Sequence, residues 1–405
     1  YREVSDIAEH EKKLAARERL QSLAIDFFNR LLTGRSQSSD TPEEIVPVVD
    51  AVEAYIIRGD NTGAEDILQA LKSGSSVRET GLRILDRLGR LGENVDPQLL
   101  LHGISPHFSD RIQEEAEKLE AYHPGEDNKR ESINEQVFSI DDASTCEIDD
   151  AFSVHPHDDD ATVTVGIHIA DPGWFIAPDS AIDTEAAERT LSLYLPTCTV
   201  TMLPPRIGTD LASLQPDRIR PAISLFATLD QEANVLEHRL ALTEIQDSTR
   251  LDYKAADAIL ADPEKNDPLH KPLETLYRLA AKLEQRRIAN GAVKIIRPDL
   301  NVTVSDNGDT VEVEKIDNES PAHSLVGEFM VLLNHLLARF TLENDVPLIY
   351  RCQPPPSHSV EPMKEYSPVL FDRAVKSMRP TFFSTHPQPH SGLGLDVYTQ
   401  FSSPL

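Results

Sequence analysis

The sequence contains little cysteine and shows no sign of oxidative or secretory processing. Its three cysteines, Cys146, Cys198 and Cys352, are odd in number, far apart and without a Cys-x-x-Cys pair. This spacing argues against a disulfide framework and against a cysteine-based zinc site, and it suits a reducing cytoplasm. The first residues, "YREVSDIAEHEKK", are polar and charged, unlike a secretory signal peptide. We therefore predict a cytoplasmic protein.

Long hydrophobic runs are also missing. The most apolar segment, "HSLVGEFMVLLNHLLARF", includes Glu328, Asn334 and two histidines. It is too short and too polar to span a bilayer, so we expect no membrane association.

Basic residues are outnumbered by acidic ones. The chain has 39 Lys and Arg against 68 Asp and Glu, which gives a net charge of −29. Because nucleic-acid binders usually carry a basic footprint, charge alone disfavours nucleic acid as a partner. Net charge describes the whole molecule, however, and a local basic groove can lie within an acidic protein. The composition therefore leaves nucleic-acid binding open.

The length of 405 residues predicts more than one domain. Residues 1–122 show helical periodicity interrupted by Gly and Pro, which predicts a helical region of the winged-helix or helix-turn-helix type. A helical packing domain without a ligand fits the same pattern. Residues 123–136 are polar and aperiodic and predict a linker. Residues 137–405 mix β-rich runs with helical segments, which predicts one large α+β domain.

Negative charge is concentrated in "SIDDASTCEIDD", which runs from Ser139 to Asp150. No Lys or Arg occurs between residues 131 and 188, so no side chain nearby in sequence neutralises this segment. Crowded carboxylates disfavour each other's ionised forms, and they require shared protons or a divalent cation. Oxygen ligands favour Mg²⁺ or Mn²⁺, and four carboxylates suffice for the two ions that hydrolyse phosphodiesters. A solvated acidic turn is the alternative interpretation.

A second acidic patch, "HPHDDD" from residue 155 to residue 160, lies between two strand-like runs. It predicts a hairpin loop rather than a metal site. A further hairpin is predicted within "NVTVSDNGDTVEVEKI", with Asn307 and Gly308 in the turn.

The first acidic segment resembles the signature of the ribonuclease II / ribonuclease R family of 3′-to-5′ exoribonucleases. That signature has Asp in a "(T/S)ID" context, then an acidic residue, then "x-Asp-Asp-Ala". The likeness covers roughly residues 137–405 and continues in order through "VGIHIADPGWFI", "ERTLSLYLP", "TMLPPRIGTDLASLQPDRIRPAISLFATLD", "RRIANGAVKI", "LVGEFMVLLNHLLARF" and "HSGLGLDVYTQFSSPL". The resemblance implies that the α+β region is a catalytic domain of the RNB type, C-terminally incomplete because an arginine pair and an S1-type barrel would follow Leu405.

The resemblance also assigns roles to individual acidic residues. It places four metal ligands at Asp141, Glu147, Asp149 and Asp150, with Asp149 the most needed for chemistry. The family usually has Asp where this chain has Glu147, whose extra methylene still allows it to reach a metal. Asp142 lies outside the pattern and is expected to be solvated.

Three further residues match family positions. Tyr194 matches a tyrosine that stacks on a base of the bound strand, and Tyr253 matches one that packs near the 3′-terminal nucleotide and influences product length. Glu328 matches a glutamate near the scissile end and joins Asp149 and Asp150 as a predicted catalytic residue. Without the resemblance, the two tyrosines would be explained as buried core residues, and Glu328 as a surface residue near a helix start that the helix dipole favours.

The resemblance implies a hydrolytic 3′-to-5′ exoribonuclease that uses up to two Mg²⁺ or Mn²⁺ ions. It would be a monomer and would release nucleoside 5′-monophosphates from single-stranded RNA. Two alternatives stay open: an RNB-type RNA-binding or regulatory protein with an impaired site, suggested by Glu147, and a helical DNA-binding regulator with an accessory domain.

Overall fold

The protein is described here by a computed structural model that covers residues 2–59, 63–71, 74–91, 96–125, 127, 129–157, 161–216, 218–305, 310–316, 318–360, 363 and 365–405. Two compact units are present. The first comprises Tyr1–Ser109, Leu193–Val200 and Thr303–Glu312; the second comprises Asp110–Ser192, Thr201–Val302 and Val313–Leu405.

The α-helices of the described residues are, in chain order, α1 (Arg2–Leu32), α2 (Val46–Arg58), α3 (Ala64–Gln69), α4 (Val77–Arg87), α5 (Pro97–His102), α6 (Asp110–Glu117), α7 (Ala181–Arg189), α8 (Tyr253–Ala261), α9 (His270–Ala289), α10 (Pro321–Glu343) and α11 (Pro368–Ser377). The strands are β1 (Glu131–Ser132), β2 (Val137–Asp141), β3 (Asp150–Pro156), β4 (Thr162–Ala170), β5 (Leu193–Tyr194), β6 (Thr199–Val200), β7 (Arg220–Asp230), β8 (Val235–Ile245), β9 (Asp247–Asp252), β10 (Asp299–Val304), β11 (Val311–Ile316), β12 (Tyr350–Cys352) and β13 (Phe382–Ser384).

Helices α1 to α5 build the apolar core of the first unit. Phe28 of α1, Ile56 of α2 and Ile84 of α4 are fully or almost fully buried in this core. Gly81 of α4 allows a close crossing with α2, because a Cβ there would lie 2.6 Å from Ile56 Cδ1. The helical N-terminal region is confirmed, and its winged-helix character stays a prediction.

The second unit is built on a seven-stranded sheet with the order β1-β8-β7-β4-β3-β2-β9. The edge strands β1 and β9 pair in parallel with their neighbours, and the other pairs are antiparallel. Apolar side chains of the sheet pack against α8, α9 and α10 in one core, where the rings of Phe152 and Phe329 meet at 6.1 Å. The predicted α+β domain is confirmed.

Helix α10 is the segment that the sequence marks as most apolar. By length and composition it satisfies the criterion for a membrane-spanning helix, and 56% of its most apolar stretch is buried inside the protein. Burial of this kind is typical of a core helix. The expected lack of membrane association stays a prediction.

Both hairpin predictions fall partly outside the described residues. β3 and β4 pair antiparallel with His155 opposite Thr164, so "HPHDDD" connects two neighbouring strands as predicted, although residues 158–160 are outside the described part. β10 and β11 form a two-stranded sheet, and the turn predicted at Asn307 and Gly308 is likewise outside it.

The segment 123–136, predicted as a linker, makes buried polar contacts with the sheet. The Arg130 side chain is only 3% exposed and forms an ion pair with Asp171. Glu244 of β8 accepts hydrogen bonds from the Tyr122 hydroxyl and the Gly125 amide, both at 2.8 Å. These partners are distant in sequence, so local composition could not reveal them. The predicted domain boundaries stay predictions.

A buried polar chain crosses four strands of the sheet. His168 of β4 is fully buried, with its Nδ1 2.7 Å from Ser224 Oγ and its Nε2 3.0 Å from Ser153 Oγ. Ser224 Oγ in turn lies 2.6 Å from Thr243 Oγ1. Gly166 leaves room for this chain, since a Cβ there would meet Ser153 Oγ at 2.3 Å. His168 therefore supports the structure of the sheet.

The burial of His168 predicts a loss of stability in acid. Burial lowers the pKa of His168 to about 3 from an ordinary 6.5. The unfolded chain therefore binds a proton between these values while the folded chain does not, and stability falls as the pH drops below 6.5. We expect this group alone to cost about 2 kcal/mol by pH 5. Urea unfolding of wild type and His168→Gln at pH 7.5 and pH 5 would measure it.

The variant is the control in this experiment, because every other titrating group is common to both proteins. The stability difference between wild type and His168→Gln should shrink on acidification. An unchanged difference at the two pH values would show that the imidazole is not held neutral.

Candidate active site

The acidic segment lies where three strands of the second unit end or begin. β2 ends at Asp141, and the chain returns to start the antiparallel β3 at Asp150. β2 also pairs in parallel with β9, which places Asp141 opposite Asp252. Because parallel strands end at the same edge of a sheet, the start of α8 at Tyr253 is brought beside the acidic residues. We refer below to Asp141, Glu147, Asp149 and Asp150 as the acidic cluster.

The loop after β2 is held by a basic residue from a distant strand. Asp141 Oδ1 accepts hydrogen bonds from the Asp142 amide at 2.7 Å and from Thr145 Oγ1 at 2.9 Å. Arg250 of β9 donates from one guanidinium nitrogen to the carbonyl oxygens of Asp142, at 3.3 Å, and Thr145. The positive charge that the local sequence lacks is therefore supplied by strand pairing.

The second half of the loop is fixed by residues that precede β7. The Ile148 amide donates to Ser213 Oγ at 2.9 Å, and the Leu214 amide donates to the Ile148 carbonyl at 3.0 Å. Ser213 Oγ also donates to the Cys146 carbonyl at 3.0 Å. Both sides of the acidic cluster are thus rigidly supported by hydrogen bonds.

Glu147 is buried, with 5% of its surface exposed. Its carboxylate passes close to Gly208, where an added Cβ would lie 3.2 Å from Glu147 Oε1. Gly208 belongs to a π-helix spanning Arg206–Leu211. The absence of a side chain at residue 208 therefore provides room for the longer acid at residue 147.

The electrostatics of the cluster are unfavourable for so many negative charges. Burial, together with the charges of Glu147 and Asp141, raises the pKa of Asp149 to about 7, although its Oδ1 accepts a 2.9 Å hydrogen bond from the Leu405 amide. Burial raises the pKa of Asp150 well above its ordinary value, with Asp141 and Asp149 adding to the effect. Burial also raises the pKa of Asp141. The site needs a compensating cation or protons.

The donor set fits hard divalent cations. Within the described part of the chain, no three His, Cys, Asp or Glu side chains have the arrangement of a formed metal site. Asp150 Oδ2 is nevertheless shielded from solvent and has no hydrogen-bond partner among the described residues. A cation would satisfy this oxygen and relieve the raised pKa values. The metal-ligand roles predicted for Asp141, Glu147, Asp149 and Asp150 stay predictions.

Asp142 is solvent-exposed, as its place outside the signature indicates. Its backbone carbonyl accepts a hydrogen bond from Arg250, and the residue lines a cavity that also includes Tyr253 and His323.

Tyr253 stands beside the cluster as the first residue of α8. Asp252 caps this helix by accepting a 2.6 Å hydrogen bond from the Ala255 amide. Burial raises the pKa of Tyr253, and the nearby charge of Asp150 adds to the effect, so the hydroxyl stays protonated. The Tyr253 ring stacks on His323, with centroids 3.6 Å apart and planes 11° apart. No local sequence pattern indicates this partner.

Tyr194 lies in β5, which belongs to the first unit, whereas the acidic cluster belongs to the second unit. Its side chain is 67% exposed, so it is not a core tyrosine. An exposed aromatic ring is suited to stacking on a base, and the predicted RNA contact stays a prediction.

Glu328 occupies a buried position in the first half of α10, 8% exposed. Arg287 of α9 contacts both of its carboxylate oxygens, with Nε 2.9 Å from Oε2. The Arg287 guanidinium also donates to the Leu393 carbonyl at 3.3 Å. The interpretation of Glu328 as a surface residue is wrong, and its predicted catalytic role stays a prediction.

The fold and the acidic cluster together define an RNB domain, and the RNB domain family matches residues 130–405. The chain belongs to the ribonuclease II / ribonuclease R (RNB-domain) family. It is 29% identical over 410 residues to an uncharacterized ribonuclease of Synechocystis, which covers 100% of this chain and 60% of that protein. It is 27% identical over 337 residues to ribonuclease R of Chlamydia trachomatis, covering 75% of this chain and 48% of that one. The chain thus spans about half the length of the curated relatives it matches.

Solved structures show the same fold at lower identity. RNase R of Mycoplasma genitalium in complex with ribose-methylated single-stranded RNA superposes with a TM-score of 0.68 at 20% identity, covering 76% of this chain and 53% of that one. Yeast Ssd1, a pseudonuclease, gives a TM-score of 0.57 at 17% identity and covers 80% of this chain and 44% of that one. The fold therefore occurs in both a ribonuclease and a pseudonuclease.

Proposed function

We propose that this chain carries the catalytic domain of a metal-dependent, hydrolytic 3′-to-5′ exoribonuclease that degrades single-stranded RNA to nucleoside 5′-monophosphates. The observation that carries the proposal is the partly buried acidic cluster, with its raised pKa values and the unpartnered Asp150 Oδ2. Membership of a family whose relatives are named ribonucleases supports the reaction class. The RNA complex of a structural neighbour supports the substrate class.

Asp141, Glu147, Asp149 and Asp150 would hold up to two Mg²⁺ or Mn²⁺ ions, which supply Lewis-acid activation of water and of the scissile phosphate. Arg250 and Ser213 keep the ligand loop in place through its backbone carbonyls and amides. We propose Asp149 and Asp150 as the catalytic carboxylates, with Glu328 as a third candidate.

Aromatic residues account for binding without sequence preference. Tyr253 lies beside the acidic cluster, where its protonated hydroxyl can donate to the 3′-terminal nucleotide. Stacking on Tyr194 and Tyr253 contributes about 1–3 kcal/mol per base, whatever the base. We further propose a cytoplasmic monomer without membrane association, in which a winged-helix arrangement of the N-terminal helices contacts the RNA.

The test is hydrolysis of single-stranded RNA carrying a 5′ label by the full-length protein. With Mg²⁺ we expect progressive shortening from the 3′ end, release of nucleoside 5′-monophosphates and retention of the label on a short final product. EDTA should stop the reaction. If the RNA stays at full length in Mg²⁺ while its mobility shifts in a native gel, the exonuclease proposal fails.

That outcome would favour the second candidate, an RNA-binding or regulatory protein with an impaired site. Its specific support is Glu147, which stands where the family usually has Asp, together with the likeness to a pseudonuclease. The same assay decides between the two because binding and hydrolysis are recorded on one substrate.

Gly208 offers a test of how the chain uses Glu147. Gly208→Ala places a methyl group against the Glu147 carboxylate, and we expect it to lower the hydrolysis rate about tenfold, since small displacements of a ligand are costly. In the Glu147→Asp background the carboxylate is one methylene shorter, so the same substitution should have little effect. Hydrolysis rates of the four proteins in this double-mutant cycle would measure the coupling. Equal effects in the two backgrounds would mean that residue 208 does not act through residue 147.

A further inference from the structure

The stacked rings of Tyr253 and His323 lie beside the acidic cluster, and binding of metal ions by the cluster does not account for their contact. The rings lie nearly parallel at 3.6 Å, closer than the 4.5–7 Å usual for aromatic pairs. One face of Tyr253 is therefore covered by the protein itself. Only the opposite face, the ring edge and the hydroxyl can meet a ligand.

The His323 ring is itself held in position. Its Nδ1 lies 2.9 Å from Ser320 Oγ, the residue that caps α10. The same first turn of α10 is tied to α8, because the Ala322 amide donates to Asp257 Oδ1 at 2.8 Å. The helices that carry the two rings thus begin side by side, and their relative position is fixed by hydrogen bonds.

A cavity of about 430 Å³ adjoins both rings. Its lining includes Tyr253, His323, Ser144 of the ligand loop and Lys254. Removal of the imidazole would extend this cavity to the covered face of Tyr253. The tyrosine ring could then tilt away from the acidic cluster, because no other described ring stacks on it.

We propose that His323 is a positioning residue that fixes the Tyr253 ring beside the acidic cluster and thereby sets the length of the last RNA fragment that the protein releases. The proposal rests on the proposed exoribonuclease function. Product length depends on how few nucleotides the site can hold before the fragment dissociates. A fixed ring retains a short fragment, whereas a tilting ring loses contact with the terminal nucleotide and releases it earlier.

The experiment compares wild type, His323→Ala, His323→Phe and the control His155→Ala in the full-length protein. End products of 5′-labelled oligoadenylate are resolved at single-nucleotide resolution, with folding checked by circular dichroism. We expect His323→Ala to lengthen the final product by about one nucleotide or more. His323→Phe restores a flat ring and should restore the wild-type length, and His155→Ala should match wild type. An unchanged length in well-folded His323→Ala would overturn the proposal.

A second measurement tests His323 by RNA binding alone, so that it does not depend on hydrolysis. RNA with 2-aminopurine at its 3′ end is bound in EDTA, and fluorescence reports the terminal base. We expect His323→Ala to bind this end about two- to tenfold more weakly, the change that corresponds to losing an aromatic contact. The quenching of 2-aminopurine fluorescence in the complex should also differ from that with wild type. A wild-type protein that binds but does not hydrolyse would refute the exoribonuclease while this measurement still tests His323. Equal fluorescence titrations for wild type and His323→Ala would refute the role of His323.

Discussion

Asp149→Asn is expected to lower the rate of RNA hydrolysis by about a hundred- to a thousandfold, the cost of removing one electrostatic contact to a transition state. The physical reason is the loss of one negative charge from the site that must attract a cation. Asn is close to Asp in shape, and its carbonyl oxygen can still accept the hydrogen bond of the Leu405 amide. The fold should therefore persist. Single-turnover rates in saturating Mg²⁺ would give the ratio.

RNA binding by Asp149→Asn should be retained, because the lost charge no longer repels the phosphate backbone. Asp142→Asn is the matched control, since it removes one exposed carboxylate from the same loop and should leave the rate within about twofold. Near-wild-type hydrolysis by Asp149→Asn, or an equal loss in both variants, would refute the assigned role of Asp149.

Arg287→Met is expected to have the largest effect on stability. It leaves the Glu328 carboxylate buried and without its bidentate partner. Breaking a buried ion pair in this way typically costs about 3–5 kcal/mol, because the remaining charge is neither paired nor hydrated. Urea unfolding at neutral pH would measure the loss.

Two further variants serve as comparisons for the stability loss in Arg287→Met. Lys265→Met breaks an ion pair with Glu274 in which both side chains are more than half exposed, and it should cost less than about 1 kcal/mol. The double variant Arg287→Met with Glu328→Met should recover much of the lost stability, because no unpaired charge remains. A cost as small as that of Lys265→Met would mean that solvent reaches the Arg287–Glu328 pair.

Structural features that depend on residues adjacent in sequence were predictable from the sequence. "SIDDASTCEIDDAFSV" shows a strand, a loop and a second strand within one short window, and the structure has β2 and β3 in those places. The exposure of Asp142 followed from its position outside the signature. The apolar pattern of α10 likewise predicted a helix, although its burial in a core required the sheet beneath it.

Contacts between distant residues were not predictable. Arg250, which holds the ligand loop, is 108 residues from Asp142, and Leu405, which donates to Asp149, is 256 residues away. No local pattern marks either residue, since an arginine in a strand and a leucine in a loop have many possible environments. Glu328 illustrates the same limit, because only the structure revealed Arg287 as its partner.

The sequence by itself determined which carboxylates gather at the end of a core strand, because strand alternation and loop composition act over a few residues. Only the tertiary structure decided what surrounds them. The parallel pairing of β2 with β9 brings Arg250 and Tyr253 to the acidic cluster, and the packing of α10 brings His323 onto Tyr253. These arrangements depend on strand register and helix packing across the whole unit, which are set by burying a common core rather than by any single segment.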